Sequence, residues 1–395
     1  MTILPSKRKH IEILLLTLLF ISCFGFILLE FRIFKYLFTI ILIYAGLTFK
    51  GNAPNKKLIL IYTGFVFISC IYSMIYNHQN IIRVIGNSYT YFGLLFTFII
   101  MKYKPTSIQL EKVIKYLSII FCCCYLLQWL IYPINIFSGS LDETNISNEV
   151  FRMRMPGSIC AYCLFFYGIN KFILYKHTKD LLYAFLGFMP ILIMGFRSLT
   201  AAAAVFAILM LIFITRSFVK TFRWLIIGSI LLIAVSQLNI FQTKINEMLE
   251  RQESGQTFEN DDYIRFLEFQ YFEEQLFTKP GERFWGAGVP ADNTTIYFRN
   301  MFDATDRLHY FWADLGLIGL SYIIGIPAVL LLCGIICYCI WKTHSVQIQY
   351  IRFTLLTVFI GSIFTTMEVY RTGNILIISL YLCLIYISNK EQSKL

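Results

Sequence analysis

Apolar residues in this chain run in long unbroken stretches, and the polar residues cluster between them. A helix needs about 20 such residues to cross roughly 30 Å of hydrocarbon. Twelve stretches reach or approach that length: 11–29, 36–49, 58–76, 81–101, 113–136, 158–175, 181–195, 199–215, 222–238, 310–341, 350–368 and 374–388. The second, seventh and twelfth are short, so a re-entrant hairpin would lower the count by a pair. The pattern predicts an all-α, polytopic integral membrane protein with about 12 transmembrane helices. Residues 1–238 would hold the first nine, 239–309 one large extracytoplasmic loop, and 310–395 the last three and a tail.

Within the loop the pattern changes. Phe241, Ile245, Met248 and Leu249 recur at helical spacing, and Tyr263 to Phe277 mixes aromatics with carboxylates. Each stretch predicts an amphipathic helix lying on the membrane face or on the bundle. Gly281, Gly286, Gly288 and Pro290 then predict a turn-rich return to the membrane. The tenth stretch, read as one helix of about 48 Å, would project its first turns outward and carry His309 above the headgroups.

Composition agrees with this reading and excludes others. Of 395 residues, 57% are hydrophobic and 14% charged, against about 25% charged in a typical soluble domain. That leaves too little polar surface for a soluble enzyme or a nucleic-acid binder. The net charge of +11 matters less than its placement, because cytoplasmic loops collect Lys and Arg. If Lys7, Arg8 and Lys9 are cytoplasmic, every second loop is also basic, which puts both termini inside. The basic stretch before the first apolar run mimics a signal peptide, but no small-residue cleavage site follows, so it reads as a retained helix.

The two sides differ in the kind of cation they carry. The inner set is 15 Lys and 3 Arg; the outer set is 11 Arg and 3 Lys. Topogenic charge needs only a positive side chain, whereas the planar guanidinium grips carboxylate or phosphate with two parallel hydrogen bonds. The outer loop is net negative, with 13 acids against 7 bases in 239–307. Its arginines either pair with those acids or, as a set, face an anionic ligand.

Four positions are candidates for chemistry. His309 stands where the outer loop meets the tenth stretch, and an imidazole there can take a proton at neutral pH; an interfacial His beside Tyr310 and Trp312 is the plainer alternative. Arg197, in GFRSLTAAAA, puts one charge between two apolar runs, which is costly unless it meets an anion, a wet cavity or the headgroups. Arg152 and Arg154, in RMRMPGS, would project side by side from an extended strand. The 11 cysteines suggest neither a disulfide framework nor a metal site; Cys160 and Cys163 read as packing. No nucleotide or dinucleotide fingerprint is present.

Taken with the span count, the FRSLTAAAA helix start, the FWGAGVP turn and the LHYFWADLGLIGLSYIIG re-entry, the chain resembles the O-antigen ligase and polymerase superfamily of bacterial envelope glycosyltransferases. Coverage is best from about residue 190 to 330. Tyr310 stands where the family usually has Asn, and Arg197 precedes Ser198 where the family has Ser before Arg. The resemblance implies a metal-independent, cofactor-free transferase in the bacterial inner membrane. It would take a glycan from a polyprenyl diphosphate on the outer leaflet and join it to an acceptor sugar hydroxyl. Polymerisation of lipid-linked repeats is favoured over ligation to a lipid A core; a chain-length regulator is a candidate partner that the sequence leaves open. Arg197 and Arg265 would stabilise the departing diphosphate, with Arg152 and Arg154 as further contacts. His309 would activate the hydroxyl, oriented by Asp306 or Asp314. A lipid-linked oligosaccharide flippase is the competing reading; it would normally show internal repeats and midplane charges.

Overall fold

The computed structural model describes residues 9–23, 25–26, 34–131, 134–137, 155–195, 197–216, 258–364 and 373–393, with side chains omitted at Arg197, 258–263 and Phe364. The expected ninth span, the first loop helix, Arg152 and Arg154 lie outside the described residues.

Among the described residues the chain is helical, without strands. In chain order the helices are α1 (Lys9–Ser22), α2 (Lys35–Thr48), α3 (Lys56–Tyr76), α4 (Ile81–Asn87), α5 (Phe96–Lys102), α6 (Ser107–Leu130), α7 (Ile159–Tyr175), α8 (Thr178–Met194), α9 (Arg197–Thr215), α10 (Phe258–Tyr271), α11 (Glu282–Trp285), α12 (Ile296–Asp306), α13 (Gly316–Ile324), α14 (Ile326–Lys342), α15 (Gln349–Phe364) and α16 (Asn374–Gln392). Six segments are long and apolar enough to cross a membrane: 56–76, 81–102, 107–130, 198–215, 346–363 and 374–392. Four shorter apolar helices accompany them. These ten apolar segments fall among the described residues, which leave out the ninth stretch, and several of them differ from the predicted stretches for identifiable causes.

The α6 helix begins six residues before its apolar run. The Thr106 hydroxyl accepts a hydrogen bond from the Gln109 N–H while the Gln109 side-chain carbonyl accepts one from the Thr106 N–H, a capping box that starts the helix in the polar link. Between α4 and α5 the chain tightens into a 3-10 turn over Ser88–Leu95. There the Gly93 carbonyl accepts from Ser379 Oγ on α16 at 3.0 Å. Gly168 and Gly187 let α7 and α8 meet backbone to backbone, each with a neighbouring main chain where a Cβ would stand.

The expected 32-residue helix is not one helix. It divides at Gly325, whose φ is +85°, into α13 and α14. Breaking a helix frees carbonyls that an apolar surrounding cannot satisfy. The FWGAGVP stretch lies in the break and supplies partners. Ala287 N–H donates to Tyr322 O at 2.7 Å and Gly288 N–H to Ile323 O at 3.0 Å. Ser69 Oγ on α3 also donates to Ile323 O, at 2.6 Å. Pro327 then opens α14, where its missing N–H costs nothing.

One buried ion pair had no forewarning in the apolar pattern. Lys171 on α7 pairs with Glu111 on α6 at 2.5 Å and donates to Gln347 O at 3.2 Å. The neighbouring Asn170 amide donates to Val346 O and Gln347 O. Together they fasten the link before α15 to the α6–α7 pair.

Candidate functional site

The segment 277–295 is tied to the ends of α3 and α4 by side chains that reach backbone groups. Asn77 Nδ2 donates to Ala287 O at 3.1 Å. Gln79 donates to Val289 O and accepts from the Ala291 and Asp292 N–H groups. Arg83 pairs with Asp292 at 2.8 Å, and Tyr72 OH donates to Pro280 O at 2.7 Å. Gly286 and Gly288 hold φ values of +84° and +76°. At Gly286 a Cβ would lie 2.5 Å from Gly325 N and Ile323 O, so only glycine permits the close approach.

Acids that look like loop solvation in the sequence are anchors. Leu267, Glu268 and Tyr271 on α10, with Phe272 just after it, form the covered face, while Phe266 and Phe269 are exposed. Glu268, 2% exposed, accepts the Phe311 N–H at 3.0 Å. Glu273 accepts from Tyr322 OH at 2.7 Å and pairs with Arg283. Glu282, also buried, accepts the Lys279 N–H at 2.9 Å, and Lys279 in turn donates to Asn77 Oδ1. These carboxylates clamp residues 268–295 to α3, α13 and the stretch before α13.

Around Glu268 the site takes shape. Arg265 precedes it by one turn of α10 and is half-buried; Asp314 lies near enough, with Arg265, to act on its charge. Tyr271 and Tyr310 meet edge to face at 5.6 Å. His309 immediately precedes Tyr310, is exposed, and holds a left-handed φ of +57°. That turn lets the Tyr310 N–H donate to Ala304 O at 2.9 Å, so the chain doubles back along α12. Among the described residues no hydrogen bond or ion pair reaches the His309 ring. Asp306 is exposed at the end of α12, and Asp314 lies near Glu268.

Arg197 is the first residue of α9, separated from α8 by a two-residue link with Gly195 at φ +70°. Its neighbour two residues on, Leu199, fills the space beside Gly361 on α15, and the next α15 carbonyls, Ser362 O and Ile363 O, border Gly316 at the start of α13. The final turn of α15 therefore separates the start of α9 from the start of α13, and Arg197, Asp314 and His309 belong to one end of the bundle. Residues 155–158 reach the same end, where Asn374 on α16 accepts the Ile159 N–H at 3.2 Å. Among the described residues no group of three or more metal-ligating side chains occurs.

Burial pushes the Glu268 carboxyl up to about 7 from 4.5, and the Phe311 N–H and Arg265 oppose that rise while Asp314 adds to it. A carboxyl whose folded pKa is raised favours the protonated fold. No penalty exists below about 4.5; it grows as pH rises through that value and is complete above about 7, amounting to at most about 3 kcal/mol. The wild type is expected to lose stability relative to Glu268→Gln between pH 5 and 8, read as diverging melting temperatures. Parallel curves would contradict the assignment.

The chain matches no family model and no curated protein.

Proposed function

We propose that this protein is a metal-independent glycosyltransferase that polymerises oligosaccharide repeats carried on polyprenyl diphosphate, at the outer face of a bacterial inner membrane. The observation that supports it is the gathering of Arg265, Glu268, Asp314 and the His309 turn at the bundle end where α9 starts at Arg197. A leaving diphosphate develops negative charge as its bond to the anomeric carbon breaks, and fixed guanidinium groups stabilise that charge most effectively where water is scarce. Arg265 and Arg197 take this role. His309 accepts the proton of the acceptor hydroxyl as its oxygen bonds to the anomeric carbon, and the diphosphate departs on the polyprenol. Glu268 holds the Phe311 N–H and so fixes the chain two residues beyond His309.

His309 supplies a test that separates chemistry from architecture. A left-handed φ costs a non-glycine residue about 1 kcal/mol, so His309→Gly is expected to fold at least as well as the wild type. Purified protein, incubated with a lipid diphosphate-linked repeat and no nucleotide or metal, should give a ladder of longer chains. His309→Gly should lower its yield at least a hundredfold. Normal elongation by that variant would remove His309 from the mechanism. Translocation of the repeat without bond formation would favour a transporter, and transfer only to a lipid A core would favour a ligase.

A further inference from the structure

At the opposite end of the bundle a groove of about 500 Å³ opens between the last turns of α14 and α16. Its outer rim carries Lys342, Lys390, Asn389 and Asn52, and no acid lines it. The nearest acid in sequence, Glu391, is occupied by the Ser107 N–H and hydroxyl at the start of α6. Among the described residues neither lysine Nζ has a hydrogen-bond or ion-pair partner; that of Lys342 lies over the Trp341 ring at 4.7 Å. The Asn389 amide donates to Lys342 O at 2.9 Å, while its Oδ1 is buried without a partner.

Depth along the groove follows a gradient. Lys390 and Asn389 lie at the rim, and the wall runs down α16 through Tyr386 and Ile385 to Leu382, facing Tyr338 and Cys339 of α14. Eight residues of helix span about 12 Å, so the site passes from cationic to apolar over the distance from a phospholipid phosphate into its acyl chains. Topogenic lysines need no cavity and would tolerate acids beside them. A second basic cleft, among Lys115, Lys171, Lys179 and Asp180, shows the difference: it contains its own acid, and Lys171 is already taken by Glu111 and Gln347 O.

We propose that the α14–α16 groove binds the headgroup of an anionic glycerophospholipid. Lys342 and Lys390 meet the phosphate, and the apolar wall takes the first acyl carbons. Basic pockets between membrane helices are suited to such headgroups, and a free phosphate would leave the apolar depth unused. The inference is independent of the transferase reading, because no residue of that site takes part.

Native mass spectrometry of the full-length protein in detergent, titrated with phosphatidylglycerol or phosphatidylcholine, tests it. Phosphatidylglycerol is expected to bind at least tenfold more tightly than phosphatidylcholine. The double substitution Lys342→Gln, Lys390→Gln is expected to abolish that preference, and Lys342→Arg, Lys390→Arg to keep it. Equal binding of the two lipids would overturn the proposal, as would a preference unaffected by the glutamines. Displacement of phosphatidylglycerol by millimolar inorganic phosphate would also overturn it, by assigning the groove to the free anion.

Discussion

Gly286→Val is expected to detach the 277–295 segment from the bundle. A Cβ at this position would stand 2.5 Å from Gly325 N and from Ile323 O, and a β-branched residue also resists the φ of +84°. The clash is with the backbone of residues 323–325, so no side-chain rotation relieves it. Backing away would break the bonds from Ala287 and Gly288 to the carbonyls at the α13–α14 break. The Tyr322 carbonyl, left unpaired, would cost several kcal/mol in an apolar surrounding, while Ile323 O keeps the Ser69 hydroxyl, and the steric strain adds about 1–3 kcal/mol. Hydrogen exchange at the Ala287 and Gly288 amides should accelerate by two or more orders of magnitude, with the melting temperature falling. Gly334→Ala on α14 is the control, since a Cβ there meets nothing within 4 Å; it should be neutral or slightly stabilising. Unchanged exchange in Gly286→Val would show that the glycine turn does not hold the break together.

The second large effect is expected at Arg265. If its guanidinium stabilises the departing diphosphate, Arg265→Ala should reduce turnover by 10²–10³-fold, about 3–4 kcal/mol of barrier. Arg265→Lys should recover only part of this, because an ammonium group lacks the planar fork. The side chain is half-buried on a helix face that also carries the exposed Phe266 and Phe269, so removing it leaves the covered contacts of Leu267 and Glu268 intact. Both variants should therefore fold with near wild-type melting temperatures. Full turnover in Arg265→Ala would assign the residue to charge balance near Glu268 alone.

Parts of this arrangement are legible in the residues, for stated reasons. Long apolar runs identify helices directly, so α3 and the start of α16 fall within two residues of the stretches that predict them. The glycine cluster at 281–288 announces a turn, and all three of its glycines do hold positive φ. What the turn contacts is not legible. Gly325 followed by Pro327 is a local signal for the break, but the partners that satisfy it come from residues 69, 287 and 288, which no local pattern reveals. Glu268 could be suspected from its place on the stripe Leu267, Glu268, Tyr271, Phe272, where the other members are apolar. Its partner, a backbone N–H 43 residues away, could not. Arg265 and His309 are recognisable as residue types suited to the chemistry, yet their approach to one bundle end depends on long-range packing.

The most direct test of the central claim, that α10, residues 307–314 and the starts of α9 and α13 form the donor site, is photo-cross-linking with a polyprenyl diphosphate carrying a reactive group beside its phosphates. Cross-links should map to peptides containing Arg265 and residues 307–314, disappear with excess unlabelled lipid-linked donor, and weaken in Arg265→Ala. Competable cross-links confined to the Lys342 and Lys390 end of the bundle would contradict the account.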